Sequence, residues 1–327
     1  MEDINQKKLS ELEDIISIEY KNINGIVVLH KGNIIFEKYY NGYDSEDALH
    51  VASVTKSIVS ALIGIAIDKG YIKSVNQRVL DFFPEYVYDH SEVQKRAITI
   101  RHLLTMTAPY PFKNWHEPFD RLCRQPDWIK YTLDGLGQGG KIGDFKYSSE
   151  GVHLLSAIIT RSTGKSAREF ANENLFRLIG MREIPDYPMK GFRCDDLFGE
   201  KLRGWVKDPK GNSTGGWGIT LTPRDMVRFG LLYLKQGIWN GEQVIPKAWI
   251  DETITAHSEA KFNKFTLKYG YLWWLKEDNG LLYSAIGDGG NIICCIPDKE
   301  LVIAITAECT GKQFNAIKLL TSFEKTL

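Results

Sequence analysis

Ser53-Val54-Thr55-Lys56-Ser57-Ile58-Val59-Ser60-Ala61-Leu62-Ile63-Gly64-Ile65-Ala66-Ile67-Asp68-Lys69-Gly70 is the stretch on which the reading of this chain turns. Ile58, Leu62, Ile65 and Ala66 recur at helical spacing and Gly70 offers a stop, so a largely buried helix is expected over 53–69. Ser53 and Lys56 stand three residues apart at its first turn, which places both side chains on one face, about 5–6 Å apart at Cβ. A serine hydroxyl is a weak nucleophile until a base removes its proton. A lysine serves as that base where burial favours its neutral form. The helix N-terminus adds a backbone N–H and a dipole that favour a developing oxyanion. S-x-x-K alone recurs by chance in chains of this length, so its company decides.

Outward from that helix, the order of elements predicts the architecture. Residues 25–29 and 33–39 are β-prone runs parted by His30-Lys31-Gly32, a hairpin signal. The span 71–214 is turn-rich, with short helices expected at 99–105 and 152–161. Pro223 opens a helix over 224–235 that Gly237 closes, with Thr222 as its N-cap. Strands follow at 269–275, 281–286, 291–296 and 301–306, punctuated by Asp278-Asn279-Gly280 and Pro297-Asp298-Lys299, and an amphipathic helix is expected over 312–323. This order predicts an α+β fold, with an antiparallel sheet of about five strands flanked by helices. The sheet domain is assembled from 1–71 and 215–327, and 72–214 forms a mainly helical lobe. A cleft between the two is the expected site.

Composition narrows the partners. The 327 residues carry 41 basic and 41 acidic side chains, a formal net charge of zero, with 43% hydrophobic and 25% charged residues. That is the profile of a folded globular chain, and it offers no basic footprint for nucleic acid or an anionic membrane surface. The longest apolar run, 58–67, is far shorter than the roughly 20 residues of a spanning helix. Residues 1–14 hold no basic stretch leading into an apolar core, so no secretory signal is expected in them. The five cysteines form no CxxC and no disulfide framework, and the adjacent Cys294 and Cys295 are expected on opposite faces of a strand. A reducing cytoplasm is the expected home, and a small molecule the expected partner.

Further motifs accompany Ser53 and Lys56. Gly143-Asp144-Phe145-Lys146-Tyr147-Ser148-Ser149 follows about a hundred residues later, and Gly287-Asp288-Gly289-Gly290-Asn291 sits between two late strands. Between them lie Gly215-Gly216-Trp217-Gly218-Ile219-Thr220-Leu221-Thr222-Pro223-Arg224-Asp225-Met226 and Tyr269-Gly270-Tyr271-Leu272-Trp273-Trp274. Together these resemble the serine β-lactamase and penicillin-binding protein superfamily, in its class C-like branch of esterases, D-aminopeptidases and small amidases. The likeness covers about residues 25–307, and it is the ordered set of motifs that makes it specific.

The resemblance implies a serine hydrolase of small esters or amides that works through an acyl-enzyme without cofactor or metal. Ser53 would be the acylated nucleophile, Lys56 its proton acceptor and Tyr147 a second acid/base. Ser149 holds a place usually given to Asn, where its hydroxyl could bond Lys56 or substrate. The backbone N–H groups of Ser53 and Asn291 would form the oxyanion hole, with Asp288, Gly289 and Gly290 lining the substrate site. Asp288 departs from the pattern, because relatives that process β-lactams or D-Ala-D-Ala peptides carry Lys there and many esterases carry His. An ionised Asp repels the carboxylate such substrates present, by about 4 kcal/mol at 4 Å and an effective dielectric near 20 before screening. Either Asp288 turns away to cap the glycine turn, or it favours neutral and amine-bearing substrates. The rivals are a β-lactamase or D-alanyl-D-alanine carboxypeptidase and, from another class, a catalytically silent binding or sensor domain. Silence fits poorly with an intact Ser53, Lys56 and Tyr147.

Other patterns carry less. Gly135-Leu136-Gly137-Gln138-Gly139-Gly140 fits G-x-G-x-x-G, but no strand precedes it and no helix follows directly. The seven histidines show no metal-ligand spacing, and His50 and His153 read as packing or hydrogen-bonding residues. No G-x-S-x-G elbow surrounds Ser53. Tyr110, Phe112, Trp115, Phe119 and Trp128 cluster in the helical span, as core packing or as a hydrophobic substrate wall.

Overall fold

The computed structural model describes residues 6–199, 201–262, 265–277, 280–308 and 319. Of the expected elements, the helix over 312–323 (Leu319 apart) and the turn residues Asp278 and Asn279 lie outside the described residues. The two ends of the described chain build one sheet. Its strands are β1 (Ile23–His30), β2 (Asn33–Tyr39), β3 (Ser258–Lys261), β4 (Thr266–Tyr269), β5 (Trp274–Lys276), β6 (Leu282–Gly287), β7 (Asn291–Ile296) and β8 (Leu301–Ala307). They lie in the order β2-β1-β8-β7-β6-β5-β4-β3, and every neighbouring pair is antiparallel. The β1–β8 pairing, Val27 opposite Ala304 and Leu29 opposite Val302, joins the start of the chain to its end.

The sheet thus has eight strands, not about five. The run expected at 269–275 breaks, because Gly270 and Leu272 turn the chain between β4 and β5. A Cβ on Gly270 would meet Thr253 O at 1.9 Å, and Leu272 takes φ +62°. The extra hairpin β3–β4 reads Ser-Glu-Ala-Lys and Thr-Leu-Lys-Tyr, too charged to announce strands by composition.

Side chains alternate across the central strands, so both faces of the sheet are covered. One face carries Val27, Leu29, Ile293, Cys295, Val302 and Ala304, packed in a cluster that includes Ile58, Leu62, Met226 and Phe229. Those last four lie on helices α2 (Val54–Asp68) and α4 (Pro223–Leu234), with α3 (Ser149–Thr163) between them in sequence. The opposite face carries Ile26, Val28, Cys294, Ile303 and Ile305, covered by Leu9 and Ile16. Leu9 and Ile16 belong to a helix over Gln6–Glu19 that sequence patterning did not announce. Cys294 and Cys295 therefore do face opposite ways.

The helix read from the opening stretch is present. All of α2 from Val54 to Ala66 is buried, as expected for a helix that is apolar on every side. Thr222 caps α4 by accepting from Asp225 N, and Gly164 closes α3 at φ +73°. The span 72–214 gives no strand to the main sheet, and its helices pack on α2 and α3 in the same core cluster as the sheet. Among the described residues no helix is long and apolar enough to cross a membrane.

Candidate active site

Ser53 is the N-cap of α2, and the residue before it is bent to put it there. Ala52 takes φ +47°, a left-handed conformation costing a non-glycine residue about 1 kcal/mol. One turn on, Lys56 is 1% exposed, and its Nζ lies 2.7 Å from Ser53 Oγ and 2.7 Å from Gly216 O. Burial lowers its pKa to about 8, against Glu117 and Asp288, whose charges favour the ammonium. The acceptor carbonyl comes from the Gly215-Gly216 pair, which fits tightly on α3. A Cβ on Gly216 would lie 2.5 Å from Ser149 Cβ, and one on Gly215 would lie 2.1 Å from Val152 O.

Tyr147 closes the triad. The Ser53 side chain acts on its hydroxyl, and its ring centroid lies 4.8 Å from Lys56 Nζ. Burial raises its pKa most; the Asp288 and Glu117 charges add to that, and the Ser53 side chain works against it. Tyr147 is therefore a neutral phenol at ordinary pH. Three groups that can hand protons to one another meet at one hydroxyl.

Glu117 is the site residue that no motif announced. Its carboxylate accepts from Ser149 N at 2.8 Å, Glu150 N at 2.6 Å and Ser148 Oγ at 3.3 Å, at the N-terminus of α3. Burial pushes its pKa up, and those backbone bonds and the Lys56 charge oppose the shift. The Ser149 side chain also acts on Glu117 and works against that rise. Nothing in the spacing of Glu117 from Tyr147 could have revealed this. It depends on how the loop after residue 110 folds back.

The glycine-rich turn lies on the other side of Ser53. A Cβ on Gly287 would meet Val51 O at 2.3 Å and Ser53 N at 3.0 Å, so the end of β6 abuts the backbone of the serine. Asn291 sits across the ladder from Gly287. Its side chain donates to Asp288 O at 2.7 Å and Ala307 O at 3.0 Å and accepts from Ala307 N at 3.0 Å. Asn22 Nδ2 adds a bond to Gly289 O at 2.7 Å. The turn is thus held through backbone carbonyls. Asp288 acts electrostatically on Lys56 and Tyr147 and lines a groove with Ala52, His50 and Asn291. That groove, of about 700 Å³, also exposes Asp195, Glu308 and Lys201.

The aromatic residues of the helical span divide. Tyr110 and Trp128 are fully buried core. Trp115, 43% exposed, stacks on Tyr147 at 5.1 Å and on Phe262 at 5.1 Å, and Tyr147 stacks on Trp274 at 5.9 Å. These rings gather around Tyr147. His50 accepts from Gly218 N at 3.1 Å and burial lowers its pKa to about 4, while His153 bonds Asp208 at 3.1 Å. Both are hydrogen-bonding residues, as read.

A family model described as Beta-lactamase matches residues 20–321. The chain belongs to the beta-lactamase family. This beta-lactamase-family chain is 24% identical over 314 residues to a 6-aminohexanoate-dimer hydrolase of Paenarthrobacter ureafaciens, covering 90% of this chain and 74% of that one. Its fold is shared with a family VIII carboxylesterase (TM-score 0.69, 17% identity, 100% of this chain and 99% of that one). It is also shared with a penicillin binding protein from Bacillus halodurans (TM-score 0.71, 17% identity, 97% of this chain and 100% of that one). The beta-lactamase-family chain is a serine hydrolase, related to the penicillin-binding proteins.

Proposed function

We propose that this hydrolase cleaves small esters or amides, neutral or amine-bearing, through an acyl-enzyme on Ser53. The observation that carries the reading is the contact between Ser53 Oγ and a buried Lys56 whose pKa is lowered to about 8. Ser53 Oγ attacks the carbonyl carbon and its proton passes to Lys56. The carbonyl oxygen becomes an oxyanion held by the backbone N–H groups of Ser53 and Asn291. Collapse breaks the bond to the alcohol or amine, which leaves with a proton from Tyr147. Water then attacks the acyl-enzyme, gives a proton back to the Lys56–Tyr147 pair, and the acid departs from a restored Ser53.

The substrate class follows from the groove. Asp288 stands where a carboxylate-binding cation would be needed, and Asp195 and Glu308 line the same space, so an anionic substrate meets repulsion. The 6-aminohexanoate-dimer hydrolase supports the amide half of the reading by its name. The carboxylesterase fold supports the ester half. Five cysteines without a CxxC or disulfide framework in the sequence fit a reducing cytoplasm, and a neutral chain fits a small-molecule partner.

A fluorophosphonate probe on the purified protein tests the nucleophile. One label on the Ser53 peptide, absent from Ser53→Ala, supports the reading, and a label persisting in Ser53→Ala overturns it. A panel of p-nitrophenyl esters, amino-acid amides and a cephalosporin tests the substrate class. Preference for the cephalosporin would make the chain a β-lactamase instead.

A further inference from the structure

One loop touches the Tyr147 end of the site in three independent ways. Asn114 Oδ1 accepts from Tyr147 N at 2.9 Å and fixes the backbone of the tyrosine. Trp115 stacks on its ring at 5.1 Å and 25°, from a left-handed backbone at φ +67°. Glu117 takes the two N–H groups that follow, on Ser149 and Glu150, at the start of α3. Three residues of the stretch 114–117 thus clamp residues 147–150 across more than thirty positions of sequence.

The last of these contacts reaches the catalytic lysine as well. Glu117 acts electrostatically on Lys56, and Lys56 acts on Glu117 in return. Asp288 is the other charge acting on Lys56 and Tyr147, Tyr269 lies in the field of Tyr147, and Glu150, Tyr110 and Tyr131 lie in that of Glu117. An acceptor of two backbone N–H bonds and a hydroxyl favours its ionised form. Burial works the other way, and the Glu117 carboxylate, once ionised, stands behind the Lys56–Tyr147 pair at the helix N-terminus.

We propose that the segment 114–117 is a positioning strap for the proton-transfer pair. In it Asn114 sets the height of the Tyr147 hydroxyl over Ser53, and Glu117 sets both the start of α3 and the charge balance at Lys56. This rests on the reading of Ser53, Lys56 and Tyr147 given above. Neither strap residue touches substrate. Each acts through a catalytic group, and the two act differently: Asn114 by geometry alone, Glu117 by geometry and charge.

The experiment is the rate of fluorophosphonate labelling of Ser53 across pH, in the full chain and in three variants. Labelling rises with pH as Lys56 loses its proton, to a plateau that reports how well the pair is placed. Glu117→Gln keeps the shape but removes the anion and one acceptor. Its plateau should fall about ten-fold and its midpoint should move to lower pH, because the ammonium loses a partner. Asn114→Ala should lower the plateau with the midpoint unchanged, and Asn114→Asp, which keeps the acceptor oxygen, should recover it. A helix cap with no other role would lower the thermal midpoint and leave both kinetic readouts alone. Wild-type plateau and midpoint in a folded Glu117→Gln, or a full plateau in Asn114→Ala, overturns the strap. The Asn114 pair decides alone should Glu117→Gln fail to fold. A wild type that takes no label on Ser53 overturns the catalytic reading and the strap with it. A labelled wild type with unaltered variants removes the strap only.

Discussion

Lys56 Nζ bridges Ser53 Oγ and Gly216 O, at 2.7 Å from each. An ammonium donates to both. A neutral amine keeps one N–H on the carbonyl and turns its lone pair to the serine O–H, which is the arrangement that makes Ser53 nucleophilic. Burial has moved that exchange to about pH 8. The acylation rate should therefore rise with pH through a midpoint near 8 and level off above it. Lys56→Met, which fills the same volume without a base, should lower the plateau by about two orders of magnitude or more. Stopped-flow acylation by a chromogenic ester reads both. A flat profile between pH 6 and 9 would assign the base elsewhere.

Tyr147 contributes a hydroxyl to Ser53 and a ring to the stack of Trp115 and Trp274. Tyr147→Phe separates the two. The ring contacts stay, so the thermal midpoint should change by no more than a few degrees. The proton relay is lost, so turnover should fall by about a hundred-fold. Near-normal turnover would leave Tyr147 as a wall residue.

Much of this site could be read before any coordinates. Local chemistry fixes Ser53 and Lys56: a serine at a helix start and a lysine one turn on can hardly avoid each other. The Pro223–Leu234 helix and its Thr222 cap are equally local. What escaped depends on distant chain. Glu117, Asn114 and Asn22 are polar residues in loops, and their bonds to residues 147–150 and 289 exist only once the fold has closed. The β3–β4 hairpin escaped for a related reason, since its edge position lets it stay charged and still pair. The course of the Asp288 turn likewise depends on Asn291 and Asn22, which hold it through backbone carbonyls.

Gly216 gives a steric test of the Lys56 contact. Its Cβ would lie 2.5 Å from Ser149 Cβ and 2.9 Å from the Ser149 backbone, so Gly216→Ala must push the Gly215-Gly216 segment off α3 and carry Gly216 O away from Lys56. Both stability and turnover should fall, the former by about 1–3 kcal/mol as in other overpacked cores. Gly140→Ala is the control, because its Cβ would meet nothing closer than Pro109 Cβ at 3.5 Å. Thermal melts and ester turnover on the pair should part clearly. Equal behaviour would show that the Gly216 contact can relax.

Asp288 supplies the test of substrate choice. Its carboxylate shares the groove with Asp195 and Glu308, and it acts on Lys56 and Tyr147 through space. A substrate bearing a carboxylate would therefore approach three like charges with Lys201 as the one cation lining the groove among the described residues. Neutral esters and amine-bearing amides should be turned over far better than cephalosporins. Asp288→Lys replaces a repulsion by an attraction at the turn itself. It should raise kcat/KM for the cephalosporin relative to a neutral ester by about ten-fold, the equivalent of about 1.4 kcal/mol surviving solvent screening. Asp288 is exposed, so the ratio should shrink as salt is raised from low millimolar to about 1 M, where the screening length falls to about 3 Å. Asp288→Asn separates the two contributions, because it removes the repulsion without adding a cation and should shift the ratio by less. A ratio that stays put in both variants at low salt would take substrate choice away from Asp288 and give it to the Trp115–Trp274 wall.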